Sequence, residues 1–506
     1  MKDTTILLAL LLLTPLATLH AAVKPNPLFT NNAVLQRGMP VPVWGTANEG
    51  EKVTVAFAGQ KAETVAKDGK WKVTLPALKA SSNPQTMTIT GENTIAIKNV
   101  LVGEVWVCSG QSNMAFQVGR IANAAETISA ANDPQLRLLT VPRAAKDEPL
   151  SEVAVSWSEC VSAKAAGFSA VAYFFGRDLR KVLNVPVGLI NSSVGGTPAE
   201  AWTDRATLEN NPELRPLLEA QAKVVAEFDA AKLAKLTERN KQNLEKYQQA
   251  LEKAKAEAQP TPRKPDVLTT PQESSRRPCC LYNAMIAPLQ PYAIRGVIWY
   301  QGESNNGNPQ QYHTLFPSMI GNWRRAWSQG EFPFFFVQIA PHKDMKPELR
   351  EAQLLSWKKT PNTAMAVTTD VGNAEDIHPI QKEPVGLRLA LAARALTYGE
   401  KIEYSGPVYE SLALQGGKAV LSFKHVGKGL LAKDGELKGF TIAGSDKQFV
   451  PAEAKIVGST VLVSCPSVPS PVAVRYGWEN VPDINLFNKD GIPAPTFRTD
   501  EVTAKP

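Results

Sequence analysis

Val105-Trp106-Val107-Cys108-Ser109-Gly110-Gln111-Ser112-Asn113-Met114 packs an apolar run, a glycine break and a serine into one short stretch. Residues 105–108 read as a buried strand, the run breaks at Gly110, and a more helical stretch starts near Ala115. A serine at a tight strand-to-helix turn is raised clear of the sheet, where its hydroxyl can meet a substrate. Its N–H then lies at a helix N-terminus, where a developing oxyanion is stabilised. This is not the G-x-S-x-G elbow, because Met114 stands where the second glycine would be. Gly-x-Ser alone more often marks a serine capping a helix in an ordinary α/β protein, so the decision passes to the rest of the chain.

Around this turn, from about residue 101 to 399, short strand-like runs alternate with helical ones. The strand-like runs are 105–108, 136–141, 187–191, 296–300, 334–339 and 364–369, and residues 170–183 and 312–326 are helical between them. Strands separated by helices predict an α/β fold, a parallel sheet with helices on both faces. Active groups in such sheets gather at the C-terminal ends of the strands. The serine turn and residues 191–198, 301–305 and 370–378 each directly follow a strand, so four polar loops are expected to share one edge.

Residues 23–100 carry period-two runs and turns: Val53, Val55 and Phe57, then Trp71, Val73 and Leu75, with Lys67-Asp68-Gly69-Lys70 as a hairpin turn between. They predict a small β-sandwich, a packing unit more readily than a sugar-binding one. Residues 400–506 return to β-type runs at 419–423, 440–442, 455–465 and 472–476 and read as a second β unit packed on the core. At about 205–272 the α/β region is interrupted by a stretch rich in Ala, Glu, Lys and Gln, ending in Gln259-Pro260-Thr261-Pro262. It reads as an inserted helix or helical hairpin with a solvated charged face, a lid or dimer arm being the alternative.

Residues 1–22 have Lys2, an apolar run at 6–13 and small residues at Ala17, Ala21 and Ala22, the pattern of a secretory signal peptide and too short for a membrane span. The expected protein is secreted or periplasmic. The 506 residues leave room for about three domains, and 43% hydrophobic and 20% charged residues mark a globular chain. A net charge of +7 without a basic stripe interleaved with aromatics argues against nucleic acid as partner. Five cysteines, two of them adjacent at Cys279-Cys280, make neither a disulfide framework nor a zinc spacing.

Histidine is scarce. After His20 only His313, His342, His378 and His425 remain. A nucleophilic serine needs a histidine to take its proton and a carboxylate to orient that histidine. His378 lies just past a strand, two residues after Asp376, with Pro379 restricting its backbone. His342 also follows a strand and is the rival. Two further loops carry oxyanion equipment: the glycines of Asn191-Ser192-Ser193-Val194-Gly195-Gly196-Thr197, and the amides of Gln301-Gly302-Glu303-Ser304-Asn305. Each also reads as an ordinary turn or a buried polar network.

Together these stretches resemble the SGNH hydrolase superfamily and, within it, the sialate O-acetylesterase family. Leu281-Tyr282-Asn283-Ala284-Met285-Ile286-Ala287-Pro288-Leu289 and Asn485-Leu486-Phe487-Asn488-Lys489-Asp490-Gly491 add to the likeness, which runs from about Pro27 to the end. The resemblance implies a flavodoxin-like three-layer αβα hydrolase domain with flanking all-β domains and a Ser-His-Asp mechanism without metal or cofactor. Ser112 would attack the acetyl carbonyl, His378 would be base and then acid, and Asp376 would orient it. The oxyanion hole would use the Ser112 N–H, Gly195 or Gly196, and the side chain of Asn305 or Gln301. Many members of the wider superfamily space Asp and His by three rather than two, so Asp370 is a second candidate for the acid. The implied substrate is an O-acetylated sialic acid, with Arg120, Arg295 or Arg388 as candidate partners for its carboxylate. Acetylated plant polysaccharide such as xylan is the alternative substrate, and a carbohydrate-binding protein without catalysis the alternative class.

Overall fold

The run at 105–108 is the inner end of a 17-residue strand, β1 (Thr94–Gly110), in the computed structural model, which describes residues 22–262, 264–265 and 267–500. The expected signal segment therefore lies, but for Ala22, outside the described residues. The first half of β1 pairs antiparallel with Ser81–Thr90, and Val34–Gln36 runs parallel beside residues 101–103. The second half is the centre of the α/β sheet. The change of texture near residue 100 therefore marks a change of neighbours along one continuous strand.

The serine turn leads from β1 into a single helical turn, α1 (Ser112–Ala115). Then follow β2 (Asp133–Thr140), β3 (Ser158–Cys160), helix α2 (Ala170–Leu183) and β4 (Val187–Ser193). After the insertion come β5 (Gly296–Tyr300), β6 (Phe334–Val337) and β7 (Thr363–Ala366). The order across the sheet is β3-β2-β4-β1-β5-β6-β7, parallel throughout except for β3. This is an α/β sheet whose first strand in sequence stands at the middle. Each side of β1 faces a separate core. Val105 and Val107 pack with one apolar cluster, Trp106 and Cys108 with another. The second cluster holds Phe174, Phe175 and Leu179 of α2, the first holds Leu315, Phe316 and Trp323 of the later helix Pro309–Trp327. Strands buried on both faces read as unbroken apolar runs, which is why 105–108 and 334–337 show no alternation.

One charge is buried where the N-terminal β region meets this sheet. Glu104, wholly buried, accepts from Arg37 at 2.5 Å, Arg295 at 2.8 Å and Gln36 at 3.0 Å. Two guanidinium groups on one carboxylate compensate its desolvation and hold three segments in register.

The insertion forms a short helix, Arg215–Ala226, and then α3 (Ala230–Ala256), capped by Asp229, whose Oδ1 accepts from the Lys232 N–H at 2.8 Å. Its Ala, Leu, Glu, Lys and Gln are strong helix formers, and no α3 residue is buried. The Asn240 side chain pairs at both ends with the backbone of Leu268, 2.8 Å each way, so the returning chain is stitched to α3.

Beyond the sheet the chain continues through helix Glu383–Ala392 into two four-stranded antiparallel sheets and a two-stranded ribbon. The β-type run at 455–465 is two strands of one hairpin, turned at Gly458 with φ +63°. Arg498 grips Glu351 of helix Pro347–Lys359 with two bonds of 2.7 and 2.9 Å, fastening this β region to the α/β part. All five cysteines are free, and no helix among the described residues is long and apolar enough to cross a membrane.

Gly110 closes β1 with φ +135°, and a Cβ there would lie 2.1 Å from the Tyr300 carbonyl oxygen on β5. Gly110→Ala is expected to lower unfolding stability by roughly 3 kcal/mol or more, from left-handed strain and overpacking together. Urea denaturation checks this; an unchanged midpoint would mean that β1 and β5 do not approach so closely.

Candidate active site

Parallel strands end on the same side, so the loops after β1, β4, β5 and β7 meet there. Ser112, the first residue of α1, sits immediately past β1, and its Oγ is 2.8 Å from Nε2 of His378. The Gln111 carbonyl takes the N–H groups of Met114 and Ala115 at 3.0 and 2.9 Å, which leaves the Ser112 N–H at the start of the turn for an anion. Gly195, just past β4, is so close that a Cβ on it would lie 3.3 Å from the Ser112 Cβ.

His378 is set by its own loop. Asn373 Oδ1 accepts the N–H groups of Glu375 and Asp376 at 2.8 and 3.1 Å. Asp376 Oδ1 then accepts the His378 N–H at 2.8 Å and lies 3.6 Å from His378 Nδ1. Asp376 is 58% exposed and His378 28% at the side chain, so the pair stands at the rim. Without substrate, catalytic hydrogen bonds are commonly long and tighten in the complex.

A cavity of about 1000 Å³ opens above Ser112 and His378. Its wall includes Gly195, Gly196, Phe116 and four arginines: Arg120, Arg143, Arg239 and Arg276. Arg276 donates to the Gly196 carbonyl. Leu236 and Arg239 come from α3 and residues 267–269 from the chain returning from it, so the insertion overhangs the cavity with one edge while its other faces are solvated.

Several expected residues stand elsewhere. Both N–H directions of the Gln301 amide are taken, by the Thr197 carbonyl at 3.2 Å and Asn305 Oδ1 at 2.7 Å, so this buried side chain has no donor left for an oxyanion. Asn305 gives one amide hydrogen to Glu200 at 2.9 Å and keeps one; burial pushes the Glu200 carboxyl up. Asp370 has both oxygens on Arg388, at 2.7 and 2.6 Å, which removes it as partner for His378 and removes Arg388 as a cation for substrate. Arg295 is likewise spent on Glu104. Of the three arginines read from the sequence, Arg120 alone lines the cavity. The rival His342 is buried, with Nδ1 accepting from the Asp344 N–H at 3.2 Å.

The sequence reading assigned no role to Asn113, Glu303 or Lys382. All three are buried, Asn113 next to Ser112 in the chain and Glu303 in the wall of the same cavity. Burial pushes Glu303 up and pulls Lys382 down to about 7, each opposed by the other's charge. The available signal was adjacency: Asn113 follows the serine, and Lys382 lies four residues past His378.

The family described as carbohydrate esterase, sialic acid-specific acetylesterase, matches residues 102–259 and 272–396. The chain is similar to the sialate O-acetylesterase of Mus musculus, 32% identical over 504 residues that cover 87% of this chain and 86% of that one. It is similar to that of Homo sapiens, 31% identical over 524 residues, covering 92% and 90%. Among solved structures, a carbohydrate acetylesterase from Xanthomonas citri superimposes with a TM-score of 0.80 at 36% identity, over 95% of this chain and 100% of that one.

Asp370→Asn breaks a largely buried ion pair and leaves Arg388 uncompensated. A stability loss on the order of 2 kcal/mol is expected, below the roughly 3–5 kcal/mol of a fully buried pair because Asp370 is partly exposed. Thermal unfolding of wild type and variant checks it; equal midpoints would mean that the pair contributes nothing.

Proposed function

The chain belongs to the sialic acid-specific acetylesterase family of carbohydrate esterases, and from that premise we propose that it releases acetate from O-acetylated sialic acids by a Ser-His-Asp mechanism. The observation that carries the reading is the 2.8 Å contact between Ser112 Oγ and His378 Nε2 in the wall of an open cavity. In this mechanism His378 takes the Ser112 proton as Oγ bonds to the acetyl carbon. The carbonyl oxygen becomes an oxyanion, met by the Ser112 N–H, a glycine N–H of Gly195 or Gly196, and the remaining amide hydrogen of Asn305. Collapse breaks the bond to the sugar oxygen, which leaves with the proton from His378. Water, deprotonated by the same imidazole, then frees acetate from the acetyl-enzyme. Asp376 orients His378 and stabilises the imidazolium. No step calls for a metal or cofactor.

The sheet with its two sets of helices is, in this reading, the three-layer αβα core of an SGNH hydrolase spanning 101–399, with the insertion at about 205–272. Residues 23–100 and 400–506 are its flanking β domains. Residues 1–22 are a secretory signal peptide, and the enzyme works outside the cytoplasm, secreted or periplasmic. An acidic sugar suits the cavity wall, where four arginines face one carboxyl, that of Glu303. A second reading, acetylated plant polysaccharide, draws on the Xanthomonas citri relative, which is described only as a carbohydrate acetylesterase.

Wild type and Ser112→Ala should be given O-acetylated sialic acid and acetylated xylan side by side, with acetate followed. Release from sialate by wild type only is expected. Release from xylan alone would keep the chemistry and move the substrate, and no release from either would sink the proposal. Asp376→Asn should lower kcat by roughly 10²- to 10⁴-fold, since the imidazole loses its orienting charge. A variant as active as wild type would remove Asp376 from the mechanism.

A further inference from the structure

Beside Ser112 lies a buried polar cluster that the proposed hydrolysis does not use. Asn113 and Lys382 are each 1% exposed, and Glu303 is 8% exposed. Asn113 Nδ2 donates to Glu303 Oε1 at 2.6 Å and to the Ile377 carbonyl at 3.0 Å. Its Oδ1 accepts from Lys382 Nζ at 2.5 Å. The amide has one orientation only. The Ile377 carbonyl can only accept and must face the nitrogen, which leaves the amide oxygen to take the Lys382 donor.

Holding two opposite charges out of water is not an efficient way to stabilise a fold, since an apolar trio of similar volume would do as well. The geometry around the amide supplies a reason of another kind. Ser112 and Asn113 are neighbours in the chain, and so are Ile377 and His378. Ser112 Oγ meets His378 Nε2 at 2.8 Å, and Asn113 Nδ2 meets the Ile377 oxygen at 3.0 Å. Two rungs thus join the nucleophile's helix to the histidine's loop. One is the reacting contact and the other an amide clamp. The loop's other fastenings, the Lys343 N–H on the Ala374 carbonyl at 3.2 Å and the Lys343 ammonium on Glu375 at 2.5 Å, lie before Asp376, so the amide is the clamp at the residue next to His378. The cation on the amide oxygen and the anion on its nitrogen polarise the group and strengthen its donation to Ile377. Lys382 is itself held over the rings of Phe116 and Tyr300, at 4.9 and 5.4 Å from their centroids.

We propose that Asn113, bracketed by Lys382 and Glu303, is a positioning residue of the esterase reaction that clamps the Ile377 carbonyl and so sets His378 against Ser112. The proposal rests on Ser112 and His378 being the catalytic pair.

The test uses the full chain as wild type, Asn113→Ala, Asn113→Asp and the charge-neutral double variant Glu303→Gln/Lys382→Met. Asn113→Asp keeps the shape but replaces both donors by an oxygen. Turnover of p-nitrophenyl acetate would be measured per reactive serine, counted by titration with diethyl p-nitrophenyl phosphate. Folded fraction would be followed by circular dichroism. Both Asn113 variants should lose about 10²-fold in kcat per reactive site, the scale of a small misplacement of a catalytic group, with KM within about threefold of wild type. The double variant should lose about tenfold, and it keeps the test open if the single variants fold poorly. A merely structural cluster would lower the folded fraction and leave kcat per reactive site unchanged in every folded variant, which would overturn the proposal. Wild type that turns over no acetyl ester would overturn the proposed function and this inference together, whereas a fully active Asn113→Asp would overturn this inference alone.

Discussion

A strand buried on both sides must find partners for its whole backbone within the protein, because water cannot reach it. Residues 104–110 of β1 meet that demand by pairing with β4 on one side and β5 on the other. The pairing leaves no freedom of register: Gly110 lies opposite Ser193 and Tyr300, so three loops begin at the same height. The approach of β1 to β5 leaves no room for a side chain at Gly110, and the chain turns there into α1. The position of Ser112 therefore follows from strand pairing, before any catalytic group is considered.

The site is built from two kinds of support. Above the sheet, His378 and Asp376 sit in an exposed loop held by local turns, with Asn373 and Asp376 accepting backbone N–H groups two and three residues on. Below it, buried amides and charges lock the ends of the strands to each other. Gln301 joins Thr197, Asn305 and Tyr312, and Asn113 joins Glu303, Ile377 and Lys382. Such networks stiffen a site as far as their members are satisfied, and here Glu303 Oε2 alone among the named side chains has no partner. The division is sensible for an esterase on bulky sugars: the rim stays open to substrate while the floor holds its geometry.

The parallel sheet was legible because strands covered on both faces leave continuous apolar runs, and the helices between them leave a longer period. Helix 170–183 is a case in point, read with both of its ends, since Ser169 caps it and Asn184 closes it with φ +50°. That Ser112 and His378 come together was legible from scarcity and placement after strands. Their partners were harder. Gln301 and Asn305 look alike in sequence as amides after a strand, yet Gln301 spends its donors internally while Asn305 keeps one. Asp370 and Asp376 both precede His378 in one loop, and the difference is that Arg388, 18 residues beyond Asp370, lies across from it. The cavity arginines come from four separate segments, and only Arg120 had been singled out. The insertion's outward charges were readable, but not that one edge, at Leu236 and Arg239, overhangs the cavity.

What the sequence determined by itself was local and periodic: which runs are strands, where a serine follows one, which histidine has a carboxylate two residues away. Those properties depend on a residue and its near neighbours along the chain. What only the tertiary structure decided was which polar groups are already spent. Hydrogen-bond capacity is small and each donor is used once, so a side chain's availability depends on partners far apart in the chain, such as Asn113 and Lys382 or Glu104 and Arg295. Spacing along the sequence carries no record of that competition, and folding settles it.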